Sequence, residues 1–169
     1  RHCYTSGGRH ESVAEHSWRL ALMAYWLKDS FPGADMDKVI RMCLIHDLGE
    51  CFTGDIPTFD KTAADENREE ELLYNWVASL PAPFNAEMRA LYNEMAARET
   101  QEAKIYKALD NIEAVVQHNE SDISTWVPLE YKLNLTYGSD KAAFSPVMQA
   151  LRDVVREETL QKMAEHEQG

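Results

Sequence analysis

Apolar residues recur along this chain at intervals of three and four, the spacing that gathers them on one side of an α-helix. A first helix is expected from Glu11 or Ser12 to about Asp29, with Ser12 and Glu15 in capping-box spacing. It stops ahead of Phe31-Pro32-Gly33, a cluster of helix breakers. A second starts near Asp35 or Asp37, carries Val39, Ile40, Cys43 and Leu44 on one face, and ends at Gly49 or shortly after. Thr53-Gly54-Asp55-Ile56-Pro57 then reads as an ordered loop whose glycine and proline fix its path. A third helix, from about Lys61 to Ser79, opens acidic, which complements the helix dipole, and closes apolar at Leu72, Leu73, Trp76, Val77 and Leu80.

Pro81 and Pro83 separate it from a fourth helix at about Ala86 to Arg98. A fifth, from about Thr100 to His118, has a core stripe of Ile105, Leu109, Ile112, Val115 and Val116. The stretch from Asp122 to Asp140 carries the weakest pattern, with turns expected at Trp126-Val127-Pro128 and Tyr137-Gly138, and a last helix covers about Pro146 to Glu165. No alternating strand stands out. The expected fold class is therefore all-α, a compact multi-helix bundle forming a single domain over residues 1–169.

Composition narrows the chemistry. Hydrophobic residues make up 44% and charged residues 27%, ordinary for a soluble globular protein. No apolar run approaches the ~20 residues that a membrane span needs, and no signal-peptide pattern opens the chain. The sequence begins at Arg1 rather than Met, so a preceding segment is expected. With 17 basic against 29 acidic residues the formal charge is −12, a surface that repels nucleic-acid polymers. A small anion can still bind a local pocket, above all one that carries a cation. The three cysteines are odd in number and lack CxxC spacing, which points to a reducing cytoplasm. Cys43 reads as a buried small hydrophobe, and Cys51 falls close to the candidate site without being expected as a ligand.

That site is marked by a histidine on the first helix, His16; a pair ending the second, His46-Asp47; and an aspartate in the fifth, Asp110. Ionisable groups set within apolar helical stretches are costly to bury unless something compensates them. One ion between the helices compensates all of them together. Imidazole and carboxylate donors suit Mn, Fe, Co, Ni or Zn, with Mg less natural against two histidines. Neighbouring helical residues point about 100° apart, so His46 and Asp47 converge on one ion only if it lies between their helix and others.

The surrounding motifs resemble the HD-domain superfamily of metal-dependent phosphohydrolases, in its 5′-deoxynucleotidase-like subgroup. The resemblance rests on Glu11-Ser12-Val13-Ala14-Glu15-His16, on His46-Asp47-Leu48-Gly49-Glu50 followed by Gly54-Asp55-Ile56-Pro57, and on Lys107-Ala108-Leu109-Asp110. It implies hydrolysis of a phosphomonoester, typically a deoxyribonucleoside 5′-monophosphate, by a metal-dependent enzyme that is often a homodimer. Binuclear members carry extra histidines between the HD pair and the final aspartate; none lies between His46 and Asp110, so one ion is expected.

Glu50, four residues after His46, is the candidate for proton transfer or water orientation, and Asp55 for an acid or a sugar contact. The resemblance places a phosphate-binding arginine at Arg1, with Arg9 and Lys107 as reserve phosphate ligands. The adjoining aromatic common in the family is replaced by His2. Arg19 is expected to pair with an acid on its own helix face; His10, His118 and His166 are expected at the surface. Trp18, Trp26 and Trp76 fit core or dimer packing better than base stacking. Rival readings are a hydrolase of another nucleotide, such as a triphosphate or a cyclic dinucleotide, and a silent nucleotide or metal sensor. The first lacks supporting basic residues or additional metal histidines, and the second has no need of Glu50 and Asp55.

Overall fold

In the computed structural model, which describes residues 1–57 and 59–167, each long apolar stripe becomes a helix. Helix α1 (Val13–Trp26) starts where Ser12 and Glu15 close the expected capping box, each side chain accepting from the other's backbone N–H. Asp35 accepts from the Lys38 N–H to start α2 (Met36–Ile45), which is followed by the short α3 (Glu50–Thr53). A second capping box, between Thr62 and Asp65, opens α4 (Ala63–Ser79). Helix α5 (Phe84–Ala97) ends on Arg98 in the left-handed conformation, φ 54°. The Thr100 hydroxyl caps α6 (Gln101–Glu120) by accepting from the Ala103 N–H. Then come α7 (Glu130–Leu133), α8 (Ser139–Ala142) and α9 (Pro146–Glu167). Among the described residues the β-type pairing is one bridge, Tyr4 to His10, so the all-α expectation holds.

Helix α6 is the axis of the bundle, packing against α1, α2, α5, α8 and α9. Its Ile105, Leu109, Ile112 and Val115 are fully buried against Leu20, Val39, Met42 and Met148. Each such side chain removed from water stabilises the fold by about 1.5–3 kcal/mol.

Two expectations for helix α2 are corrected. Helix α2 ends at Ile45, not near Gly49: tight turns run from His46 to Glu50, with Leu48 N–H bonded to Ile45 O and Glu50 N–H to Asp47 O. Its buried face is Met36, Val39, Met42 and Cys43, while Leu44 is 47% exposed. Trp18 and Trp26 are 64% and 69% exposed, so core packing describes only Trp76, which lies partly buried against the core. The weakly patterned stretch holds a 3-10 turn (Ile123–Thr125), α7 and α8, and its Trp126 is buried because its indole N–H reaches the His118 carbonyl.

The expected turn at Tyr137-Gly138 does form. Gly138 has φ 77°, and a Cβ there would meet the Asn111 Cβ at 2.7 Å, so only glycine lets this corner seat on α6. No described helix is long and apolar enough to cross a membrane. The expected domain over residues 1–169 also takes in Thr58, Gln168 and Gly169, which lie outside the described residues.

Candidate metal centre and pocket

Four donor atoms meet where α1, the end of α2 and α6 converge. His16 Nε2 lies 3.1 Å from His46 Nε2 and 3.1 Å from Asp110 Oδ1. His46 Nε2 lies 3.0 Å from Asp47 Oδ2 and 3.3 Å from Asp110 Oδ1. The turns after Ile45 make this possible, because they swing Asp47 round beside His46 instead of leaving it a hundred degrees away.

The other ring nitrogens are committed. His46 Nδ1–H donates to the Cys43 carbonyl at 2.9 Å, and His16 Nδ1–H donates to the buried carboxylate of Glu113. Both Nε2 lone pairs therefore face each other and two carboxylate oxygens, an arrangement that repels itself unless positive charge enters. Burial would lower both imidazole pKa values. The carboxylates outweigh it, Asp110 and Glu113 lifting His16 to about 9, Asp47 and Asp110 lifting His46 to about 10. The donor set fits a divalent ion: ligands at about 2.0–2.2 Å and right angles stand about 3 Å apart, and the separations here are 3.0–3.7 Å.

Around these donors opens a pocket whose wall includes Arg1, His2, Glu50, Asp55 and Lys107. Arg1 is held in it, its Nη1–H donating to Asp47 Oδ2 at 3.0 Å and its Nε 3.3 Å from the buried Glu11. Lys107 Nζ–H donates to Asp110 Oδ2 at 2.7 Å, leaving Oδ1 on the histidine side. Glu50 Oε2 is buried with no hydrogen-bond partner, and burial, then the charges of Asp47 and Asp55, push the carboxyl up to about 8. Burial pushes Asp55 the same way, but hydrogen bonds from His2 outweigh it and hold this carboxylate well below its usual range. The two candidate acids are thus driven apart, Glu50 upward and Asp55 downward.

Other expectations sort themselves by position. Arg9 is exposed and paired with Glu15, outside the pocket. Arg19 pairs across to α6, its Nε–H donating to Glu113 at 2.6 Å, and not to its own helix. His10 and His166 are exposed as expected, whereas His118 is buried and lines the pocket. Cys43 is buried and Cys51 exposed, and neither joins the quartet.

Sequence reasoning missed Glu113, Cys3, His118 and Glu130, and gave Glu11 no role. Glu113 and His118 had a signal: they follow Asp110 by three and eight residues, spacings that keep them on neighbouring parts of one helical face. Cys3 and Glu130 had none, since a non-helical segment brings in the first and a four-residue helix the second.

The model of the family described as HD domain matches residues 1–152. Human 5′-deoxynucleotidase HDDC2 is 35% identical over 119 residues, which are 69% of this chain and 57% of that protein. The Saccharomyces cerevisiae 5′-deoxynucleotidase YBR242W is 31% identical over 119 residues, 63% of this chain and 47% of its own. The crystal structure of a predicted metal-dependent phosphohydrolase from Magnetospirillum magnetotacticum superposes with a TM-score of 0.76 at 27% identity, covering 96% of this chain and 84% of that one. The chain belongs to the HD domain family. It spans less than two thirds of the length of the curated relatives named here.

Proposed function

We propose that the chain is a metal-dependent phosphomonoesterase that hydrolyses ribo- or deoxyribonucleoside 5′-monophosphates to nucleoside and phosphate. The observation that carries this reading is the convergence of His16, His46, Asp47 and Asp110 in a pocket walled by Arg1, Lys107 and Glu50. Its relatives named as 5′-deoxynucleotidases point to the same substrate class. The four side chains would hold one divalent ion, Mn, Co, Fe, Ni or Zn more naturally than Mg. When bound, such an ion polarises a phosphoryl oxygen and lowers the pKa of water.

The chain's own groups supply the rest. Arg1 and Lys107 bind the phosphate oxygens, the guanidinium in a fork that matches two of them. Water attacks phosphorus as the bond to the sugar 5′ oxygen breaks; Glu50 gives that oxygen its proton, and the proton shed by the water restores the Glu50 carboxyl. Asp55, ionised and anchored by His2, accepts from a sugar hydroxyl. Phe59, Leu133 and Tyr137 offer the apolar wall that a base needs.

As a whole the protein is read as one domain over residues 1–169, a homodimer in the reducing cytoplasm that leaves nucleic-acid polymers alone. The exposed Trp18 and Trp26 support the dimer, the three free cysteines the compartment, and the charge of −12 the last point.

The test is phosphate release from a panel of ribo- and deoxyribonucleoside 5′-monophosphates, with Mn or Co added and after chelation, using His46→Ala and Glu50→Ala as controls. Metal-dependent release lost in both variants is the expected result. Metal uptake with no monophosphate cleaved overturns the reading.

A further inference from the structure

A second group of ligand-type atoms lies in the same pocket wall, away from the first quartet. Cys3 Sγ is 3.4 Å from His118 Nε2 and 3.7 Å from His2 Nε2. Glu130 Oε1 is 3.5 Å from each of those two nitrogens. Cys3, His118 and Glu130 are buried, and His2 is half-buried. We propose that His2, Cys3, His118 and Glu130 form a second, tetrahedral site for a zinc-like divalent ion.

The edges support that geometry. With a sulfur ligand at about 2.3 Å and nitrogen or oxygen at about 2.0–2.1 Å, a tetrahedron has edges of about 3.3–3.6 Å. The Cys3–His and His–Glu130 separations run from 3.4 to 3.7 Å, and the ligand atoms of His2, Cys3 and His118 all lie within 4.8 Å of one another. The ligands are also oriented from behind. His2 Nδ1–H donates to Asp55 at 3.2 Å, which turns its Nε2 lone pair inward. Glu130 Oε2 accepts from the Val127 N–H at 2.8 Å, which leaves Oε1 for the cluster. Trp126 packs edge-on against the His118 ring and shields that side.

Cysteine ligates metal as the thiolate, and binding releases the thiol proton. A cysteine, two histidines and one carboxylate is a set that zinc accepts in full, with no position left for water, so the site is structural. Its ion ties the segment before α1 to the end of α6 and to α7. Arg1, one residue before His2, is held by the same tie in addition to Asp47 and Glu11.

Cobalt is the probe, because only sulfur ligation gives a thiolate-to-cobalt charge-transfer band in the near ultraviolet. The purified chain, stripped by chelation, is titrated with Co(II). Two equivalents are expected to bind, one of them producing the band. Cys3→Ser should bind one equivalent and show no band; Asp110→Ala should keep the band; Cys51→Ser should change neither. His118→Gln, which retains the thiol, serves if Cys3→Ser does not fold, and should also lose the band. One equivalent with no band overturns the site, leaving the cluster as an ion-pair network of thiolate and imidazolium. A band that survives Cys3→Ser or His118→Gln overturns it equally.

Discussion

The two quartets face one pocket and are built in opposite ways. His16 and Asp110 stand on long helices, and His46 caps a third whose face is locked into the core. His2 and Cys3 come from extended chain and Glu130 from a four-residue helix; only His118 stands on a long one. In the first case helices packed in the apolar core deliver the ligands. In the second, loosely built segments meet at their side chains, so the ligands themselves contribute the cross-link.

Changes in one quartet should therefore spare the other. Asp110→Ala gives the largest effect: metal-dependent phosphate release should fall to the rate of the chelated enzyme while the cobalt–sulfur band persists. Release that survives would remove the first quartet from the reaction. Glu50→Gln should lower kcat by about 10²–10⁴-fold with metal content unchanged, as loss of a general acid does. Glu50, raised to about 8, donates below that pH and has no proton to give above it. The wild-type rate should accordingly fall as pH rises through this value, and a pH profile of Glu50→Gln should lack that limb.

Glu113→Gln should weaken binding at the first quartet by roughly 10–100-fold, the usual cost of losing the partner that orients a ligating histidine. Competition with a chelator measures this, and an equal loss at the Cys3 site would show that the two are not independent. The smallest effect is expected from Gly138→Ala. Placing a Cβ at φ 77° against Asn111 should cost about 1–3 kcal/mol in thermal unfolding. Because Gly138 closes the corner after α7, it should disturb Glu130 before His16.

The same division explains what the sequence revealed. The capping box at Ser12, the stripe on α6 and the ligands His16, His46, Asp47 and Asp110 were legible because helical period fixes direction. Glu50 was legible by spacing from His46, although the helix expected to carry it ends five residues earlier. The pattern alone puts His118 at the surface, because its face of α6 is covered by Trp126 and Cys3, neighbours that no local pattern foretells. Arg19 was given a partner on its own helix because spacing sees only near neighbours, while its real partner is 94 positions away. Arg1 was placed by resemblance, and the side chains around it by tertiary structure alone.

Glu113 has one more consequence. It receives His16 and Arg19 together, two residues three apart on α1. A helix gripped at one point can roll about its axis; gripped at two points a turn apart, it is keyed like a shaft in a slot. Residues that line the outer side of α1, Trp18 and Tyr25 among them, thereby acquire a fixed bearing relative to the catalytic floor. A partner docking on that outer side would meet the same aromatic face every time, and any twist it imposed would be felt first at the ring of His16.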